Sequence, residues 1–194
     1  MEVTDGVDLY WIPLGAGAGG GLVRWSGRAY EAASAARARR PRRPLYHSAL
    51  EIHVDGNSIS VEVAPVWVTR GERGVVAEGA VGARVLGRSR LFRYEVRCWP
   101  GGTIPDLAAA VGGPVRVTQG PLRARRVVEA VRDAPALVWG RDELGAGDMW
   151  NSNSLVSWAL VRAGVDVSGL RPPGDGRAPG WQAGLVAAST SSDR

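Results

Sequence analysis

The chain has no lysine. All 24 of its basic residues are arginine, against 19 acidic residues, for a net charge of +5. The absence reads as codon usage in a GC-rich genome, and the arginines are scattered rather than gathered in a stripe with aromatics, so the pattern does not call for nucleic acid. Cysteine is reduced to Cys98, which excludes an intramolecular disulfide and suits a reducing, cytoplasmic compartment. Phenylalanine occurs once and histidine twice, at His47 and His53. No apolar run nears the roughly 18 residues of a membrane span, and the acidic start Met1–Asp5 lacks the basic region and apolar stretch of a secretory leader.

What is abundant is glycine (27), proline (12) and tryptophan (8) in 194 residues, which predicts short elements and many turns. The length suits one domain, read as 1–170, with a Pro/Gly-rich tail over 171–194 that is partly disordered beyond Ser189. Val7–Leu14 reads as a strand. Gly15–Gly21 lacks the lysine of a phosphate loop and reads as a flexible turn. Val23–Trp25 reads as a short strand, and Tyr30–Arg39 as an Ala-rich helix ended by the Arg39–Pro44 run, a solvated linker.

Leu45–Val54 and Asn57–Ala64 flank Asp55-Gly56, a two-residue hairpin signal. The implied register sets Val54 against Asn57, Ile52 against Ile59, Leu50 against Val61 and Ser48 against Val63, apolar to apolar on one face. The other face carries His47, Glu51 and His53 opposite Ser58, Ser60 and Glu62, with His47 diagonal to Glu62. Further strands are expected over Val75–Ala80 and Ser89–Trp99. In the second of these, Cys98 shares a face with Tyr94 and Val96 as a small core residue. Leu122–Arg132 reads as an amphipathic helix with arginines on its wet face, and Ser152–Arg162 as a second helix stopped by Gly164, with Leu155, Val156, Ala159, Leu160 and Ala163 inward.

That second helix opens on Asn151-Ser152-Asn153-Ser154, four cap-type residues in a row. One cap does not need four. A hydroxyl in the first turn lies in the field of the helix dipole, beside free N–H groups suited to an oxyanion, but it needs a base within reach. His47 is the candidate base, Glu62 the carboxylate that orients it, with Glu51 and His53 as alternatives in other registers. Trp150, Asn151, Asn153 and Ser154 are candidate substrate contacts, Trp150 as a pocket wall. The remaining tryptophans, among them Trp67, Trp99, Trp139, Trp158 and Trp181, read as packing.

The strand Tyr46-His47-Ser48-Ala49-Leu50-Glu51-Ile52 followed by the late helix Asn151-Ser152-Asn153-Ser154-Leu155-Val156 resembles the circularly permuted papain-like superfamily, which includes NlpC-type and lecithin retinol acyltransferase-like enzymes. The stretches Val75–Glu95 and Trp139–Ser154 also look like an uncharacterised bacterial family. The papain-like resemblance covers about 45–64 and 148–164. It implies an α+β fold with an antiparallel sheet packed against a nucleophile-bearing helix. It also implies a hydrolase or acyltransferase acting on amide, ester or thioester bonds, with Ser152 where the family has cysteine. A hydroxyl gives up its proton less readily than a thiol. The alternatives are therefore a binding module of the same fold for a peptide, lipid or protein partner, or Ser154 as the reactive hydroxyl. A further reading is an anion-binding or nucleic-acid-binding accessory protein using its arginine surface. No cofactor and no metal is called for.

Overall fold

A computed structural model describes residues 4–16, 21–66, 74–104 and 106–190. Most of the expected turn at Gly15–Gly21, together with Trp67 and the last four residues, lies outside them. The chain folds as a mixed α+β structure with a six-stranded antiparallel sheet and four α-helices among the described residues. The strands are β1 (Gly6–Pro13), β2 (Tyr46–Val54), β3 (Asn57–Pro65), β4 (Val75–Ala80), β5 (Arg93–Pro100) and β6 (Val115–Gln119). They lie in the order β4-β5-β3-β2-β1-β6. The helices are α1 (Gly21–Arg37), α2 (Pro121–Arg132), α3 (Ser152–Arg162) and α4 (Trp181–Thr190).

The hairpin forms in the register the sequence dictates: Val54 faces Asn57, Ile52 faces Ile59 and Leu50 faces Val61. Asp55 and Gly56 both adopt positive φ, 54° and 75°, as the tight turn that matches strand twist requires. Past Leu50 and Val61 the two strands part. β2 runs on beside β1, with His47 opposite Ile12, while β3 runs on beside β5, with Glu62 opposite Arg97. The expected pairing of Ser48 with Val63, and with it the diagonal between His47 and Glu62, is therefore replaced by this divergence.

One face of the sheet carries Val7, Leu9, Trp11, Leu50, Ile52, Val61, Tyr94 and Val96 and meets the apolar faces of α2 and α3 in one core. The arginines of α2 at 123, 125, 126 and 132 stay exposed, as its amphipathic pattern requires. On the other face residues 101–104 and 106–110 lie across β1, β2 and β3: Ile104 packs with Ile12 and Ala49, and the Ser60 hydroxyl donates to the Gly102 carbonyl (2.7 Å). Beneath and beside that segment, Glu95 and Arg97 are buried, although in sequence they look like the wet side of a strand. Arg97 holds Glu95 (3.1 Å) and Glu62 (2.9 Å), so the charges enter the interior as an ion cluster.

Three stretches depart from the sequence reading. Val23–Trp25 belongs to α1, because the small residues that follow continue a helix through it. The strand expected from Ser89 begins at Arg93. Before it, Arg84–Arg88 and Arg90–Phe92 form short 3₁₀ turns, with the Ser89 hydroxyl accepting from the Leu91 N–H. The supposed tail holds α4, whose inward side is Ala183, Gly184, Ala187 and Ala188. Gly184 packs directly on the Ser154 carbonyl and the Ser157 hydroxyl, leaving no room for a side chain, and Ser157 Oγ donates to the Trp181 carbonyl (2.8 Å). With the sheet on one side and α4 on another, α3 is buried continuously from Asn153 to Leu160.

α1 is held by a buried carboxylate. Glu31 receives Arg40 (2.5 and 3.1 Å), Arg177 (2.9 Å) and the Arg43 N–H (2.9 Å). The Arg40 hydrogen bonds foremost hold its pKa down, to about 2. Since the folded value is depressed, this contribution is present above the ordinary carboxylate range and is lost as pH falls toward 2. Glu31→Gln should cost on the order of 3 kcal/mol at pH 7. In denaturant unfolding curves the gap from wild type should shrink at pH 3. The tight α3–α4 contact gives a second expectation: Gly184→Ala should destabilise by about 1–3 kcal/mol through overpacking, measured the same way.

Candidate functional site

The four polar residues at the head of α3 divide their work. The Asn151 side chain caps the helix, accepting from the N–H groups of Asn153 (2.9 Å) and Ser154 (3.4 Å), and its amide donates to the Pro179 carbonyl (2.8 Å). Ser154 completes the capping box: its hydroxyl accepts from the Asn151 N–H (3.0 Å) and lies 2.7 Å from the Gly180 carbonyl and 3.0 Å from that of Met149. It is fully buried, which removes it as a reactive hydroxyl. Asn153 is a clamp. Its Nδ2 donates to the carbonyls of Tyr46 (3.0 Å) and Pro179 (2.8 Å), and its Oδ1 accepts from the Ser48 hydroxyl (2.8 Å). Ser152 alone of the four is left over: it is half-buried, and among the described residues its hydroxyl makes no hydrogen bond.

The clamp fixes the head of α3 against the residues on either side of His47. Where β2 and β3 part, a cavity of about 500 Å³ opens, and both His47 and Ser152 line it. Its wall is mostly apolar, with Leu45, Tyr46, Tyr94, Trp139 and Met149 prominent; Asn151 and Asn153 contribute at the helix end. Trp150, expected as a wall, is buried in the core instead, and its indole N–H donates to the Tyr94 hydroxyl (3.2 Å). Tyr94 donates in turn to the Leu137 carbonyl (2.6 Å). Trp139 and Tyr94, packed ring to ring at 5.5 Å, take the place assigned to Trp150.

His47 sits opposite Ile12 on the sheet face covered by Ile104, Leu107, Ala109 and Ala110. Its Nε2 lies 4.0 Å from Asp106 Oδ2. Burial lowers its pKa and Asp106 partly offsets the shift, which favours the neutral imidazole. Asp106 thus holds the position assigned to Glu62. Glu62 accepts from Arg97 (2.9 Å), and burial raises its pKa against that pairing. The alternatives are also committed elsewhere. Glu51 accepts from Tyr10 (2.9 Å) and Ser58 (2.7 Å), and His53 Nε2 lies 3.2 Å from Asp8, which Arg116 grips with two hydrogen bonds. Asp106 left no trace in the sequence, since it reaches His47 only because its loop crosses the sheet.

No hydrogen bond joins Ser152 to His47 among the described residues. By strand alternation Tyr46 and Ser48 face α3, whereas His47 projects from the other side and meets the cavity at the end of β2. Cys98 stays inert: it is buried, and burial raises its thiol to about 11. Among the described residues there is no cluster of three or more His, Cys, Asp or Glu suited to a metal, and no helix long and apolar enough to cross a membrane.

In an NMR titration, His47 should titrate below the ordinary histidine value of about 6.5, and Asp106→Asn should lower it further by removing the charge that favours the imidazolium. Because the neutral ring is favoured in the fold, His47 should subtract stability as pH drops below about 6.5. Cys98 should resist iodoacetamide in the folded protein at pH 8 and react on unfolding, as mass spectrometry would show.

Comparisons with protein-family models, curated proteins and solved structures give no match to this chain.

Proposed function

We propose that the cavity at the head of α3 is an acyl-transfer site of the permuted papain-like kind, a hydrolase or acyltransferase for amide, ester or thioester bonds. The reading rests on one observation: Ser152, the first residue of α3, whose side chain is uncommitted, lines the same cavity as His47, whose Nε2 side is turned to Asp106. At 4.0 Å Asp106 acts on the ring by charge rather than by a hydrogen bond, which favours the proton on the Nε2 side and leaves Nδ1 as the acceptor. The roles follow: Ser152 nucleophile, His47 general base, Asp106 the orienting carboxylate in place of Glu62. Ser152 Oγ adds to the carbonyl carbon as its proton passes to His47. His47 then returns the proton to the leaving amine, alcohol or thiol as that bond breaks, giving an acyl ester on Ser152. Water or a second acceptor repeats the sequence and releases the acyl group. The developing oxyanion meets the positive end of the α3 dipole.

A second reading, a binding module that holds an apolar group without reacting, is favoured by the missing hydrogen bond between Ser152 and His47 and by the largely apolar wall.

A fluorophosphonate probe separates the two. Labelling of wild type that is abolished by Ser152→Ala and by His47→Ala, retained by Ser154→Ala and slowed about tenfold or more by Asp106→Asn supports the acyl-transfer reading. A folded wild type that stays unlabelled while binding a fluorescent fatty acid saturably overturns it and leaves the binding module.

A further inference from the structure

The 3₁₀ turns between β4 and β5 carry a surface that lies mostly outside the site. Residues 84–93 read Arg-Val-Leu-Gly-Arg-Ser-Arg-Leu-Phe-Arg: four arginines, four large apolar residues and no acid. An ordinary loop turns such apolar residues inward. Here Val85 and Leu91 are 65% and 67% exposed, and Leu86 and Phe92 are also exposed. Four exposed apolar side chains within one short segment point to an interaction site.

The arginines divide into two pairs. Arg84 is held by Glu143 (2.8 Å) and Arg93 by Glu78 (2.6 Å). Arg88 and Arg90 are exposed and have no ion pair among the described residues. The two free cations therefore stand between the two apolar pairs. Arg88 also edges a cleft of about 370 Å³ whose rim holds Arg84, Arg93 and Glu78. The patch adjoins the site, because Leu91 and Arg93 line the cavity that holds Ser152.

We infer that this arginine-flanked apolar loop docks the protein on an anionic lipid bilayer, with the cavity mouth at the lipid surface. Apolar side chains enter the acyl boundary while neighbouring cations meet the headgroups, a division that interfacial segments use. Charge argues against a second copy as the occupant. A two-fold contact through this patch would bring Arg88 and Arg90 against their own copies with no acid in the segment to separate them. The stem of each arginine also suits lipid, since it can lie along apolar surface with its head in the polar layer.

Co-sedimentation with vesicles tests this and needs no chemistry at Ser152, so it stands apart from the labelling experiment. The protein should bind vesicles containing phosphatidylglycerol, bind pure phosphatidylcholine vesicles far more weakly, and lose affinity as salt rises. Arg88→Gln with Arg90→Gln should weaken binding about thirtyfold, and Leu91→Ser with Phe92→Ser should weaken it at least as much. Circular dichroism would check that both variants stay folded. Absence of binding, or equal binding to both vesicle types, overturns the proposal. So does sedimentation velocity showing a vesicle-free dimer that Leu91→Ser with Phe92→Ser converts to monomer, or tighter binding to duplex DNA than to vesicles that the same variants lose.

Discussion

The amide of Asn153 holds the candidate site together. One side chain, 2% exposed, bonds the start of β2 through the Tyr46 carbonyl and the Ser48 hydroxyl, and bonds the approach to α4 through the Pro179 carbonyl. An unsatisfied buried amide would cost a few kcal/mol, so the three partners and the amide fix one another. The neighbouring Ser152 is left uncommitted because its neighbours are fully used. A row of four cap-type residues looks redundant in sequence. In three dimensions it is one cap, one reciprocal partner, one clamp and one free hydroxyl.

The sheet has two different interiors. The helix side is apolar. The other side buries Glu95 and Arg97 with Glu62 against them, and a second cluster of Asp8, Arg116, His53, Glu51 and Tyr10 lies under and beside β1. Ion clusters of this kind contribute little net stability, because desolvation offsets attraction, but removing one partner leaves a buried charge exposed to the full penalty. Their geometric effect is clear: with Glu62 committed to Arg97, Glu51 to Tyr10 and Ser58, and His53 to Asp8, Asp106 is the carboxylate left facing His47.

Local signals were legible and crossing segments were not. Asp55-Gly56 with flanking alternation dictated the hairpin register, and Asn151 to Ser154 before an apolar stripe dictated where α3 begins and, with Gly164, where it ends. Pairing read from one hairpin, however, says nothing of third strands. β1 and β5 draw β2 and β3 apart beyond Leu50 and Val61, and that divergence both breaks the contact expected between His47 and Glu62 and opens the cavity. Trp150 was misplaced for a similar reason, since its partner Tyr94 comes from a distant strand. α4 escaped notice because its inward side is alanine and glycine, chosen for close approach to α3 rather than for bulk.

The carbonyls of Pro179 and Gly180 have a consequence for how the molecule matures. The head of α3 depends on them for Asn151, Asn153 and Ser154, and Asp148 reaches the same turn through the Gly180 N–H (2.7 Å). In chain order the sheet and α3 both precede this turn, so the head of α3 lacks these partners until the turn folds against it. The cavity is completed only when residues 178–184 fold back over α3, because Pro179 itself forms part of the wall that Ser152 and His47 share.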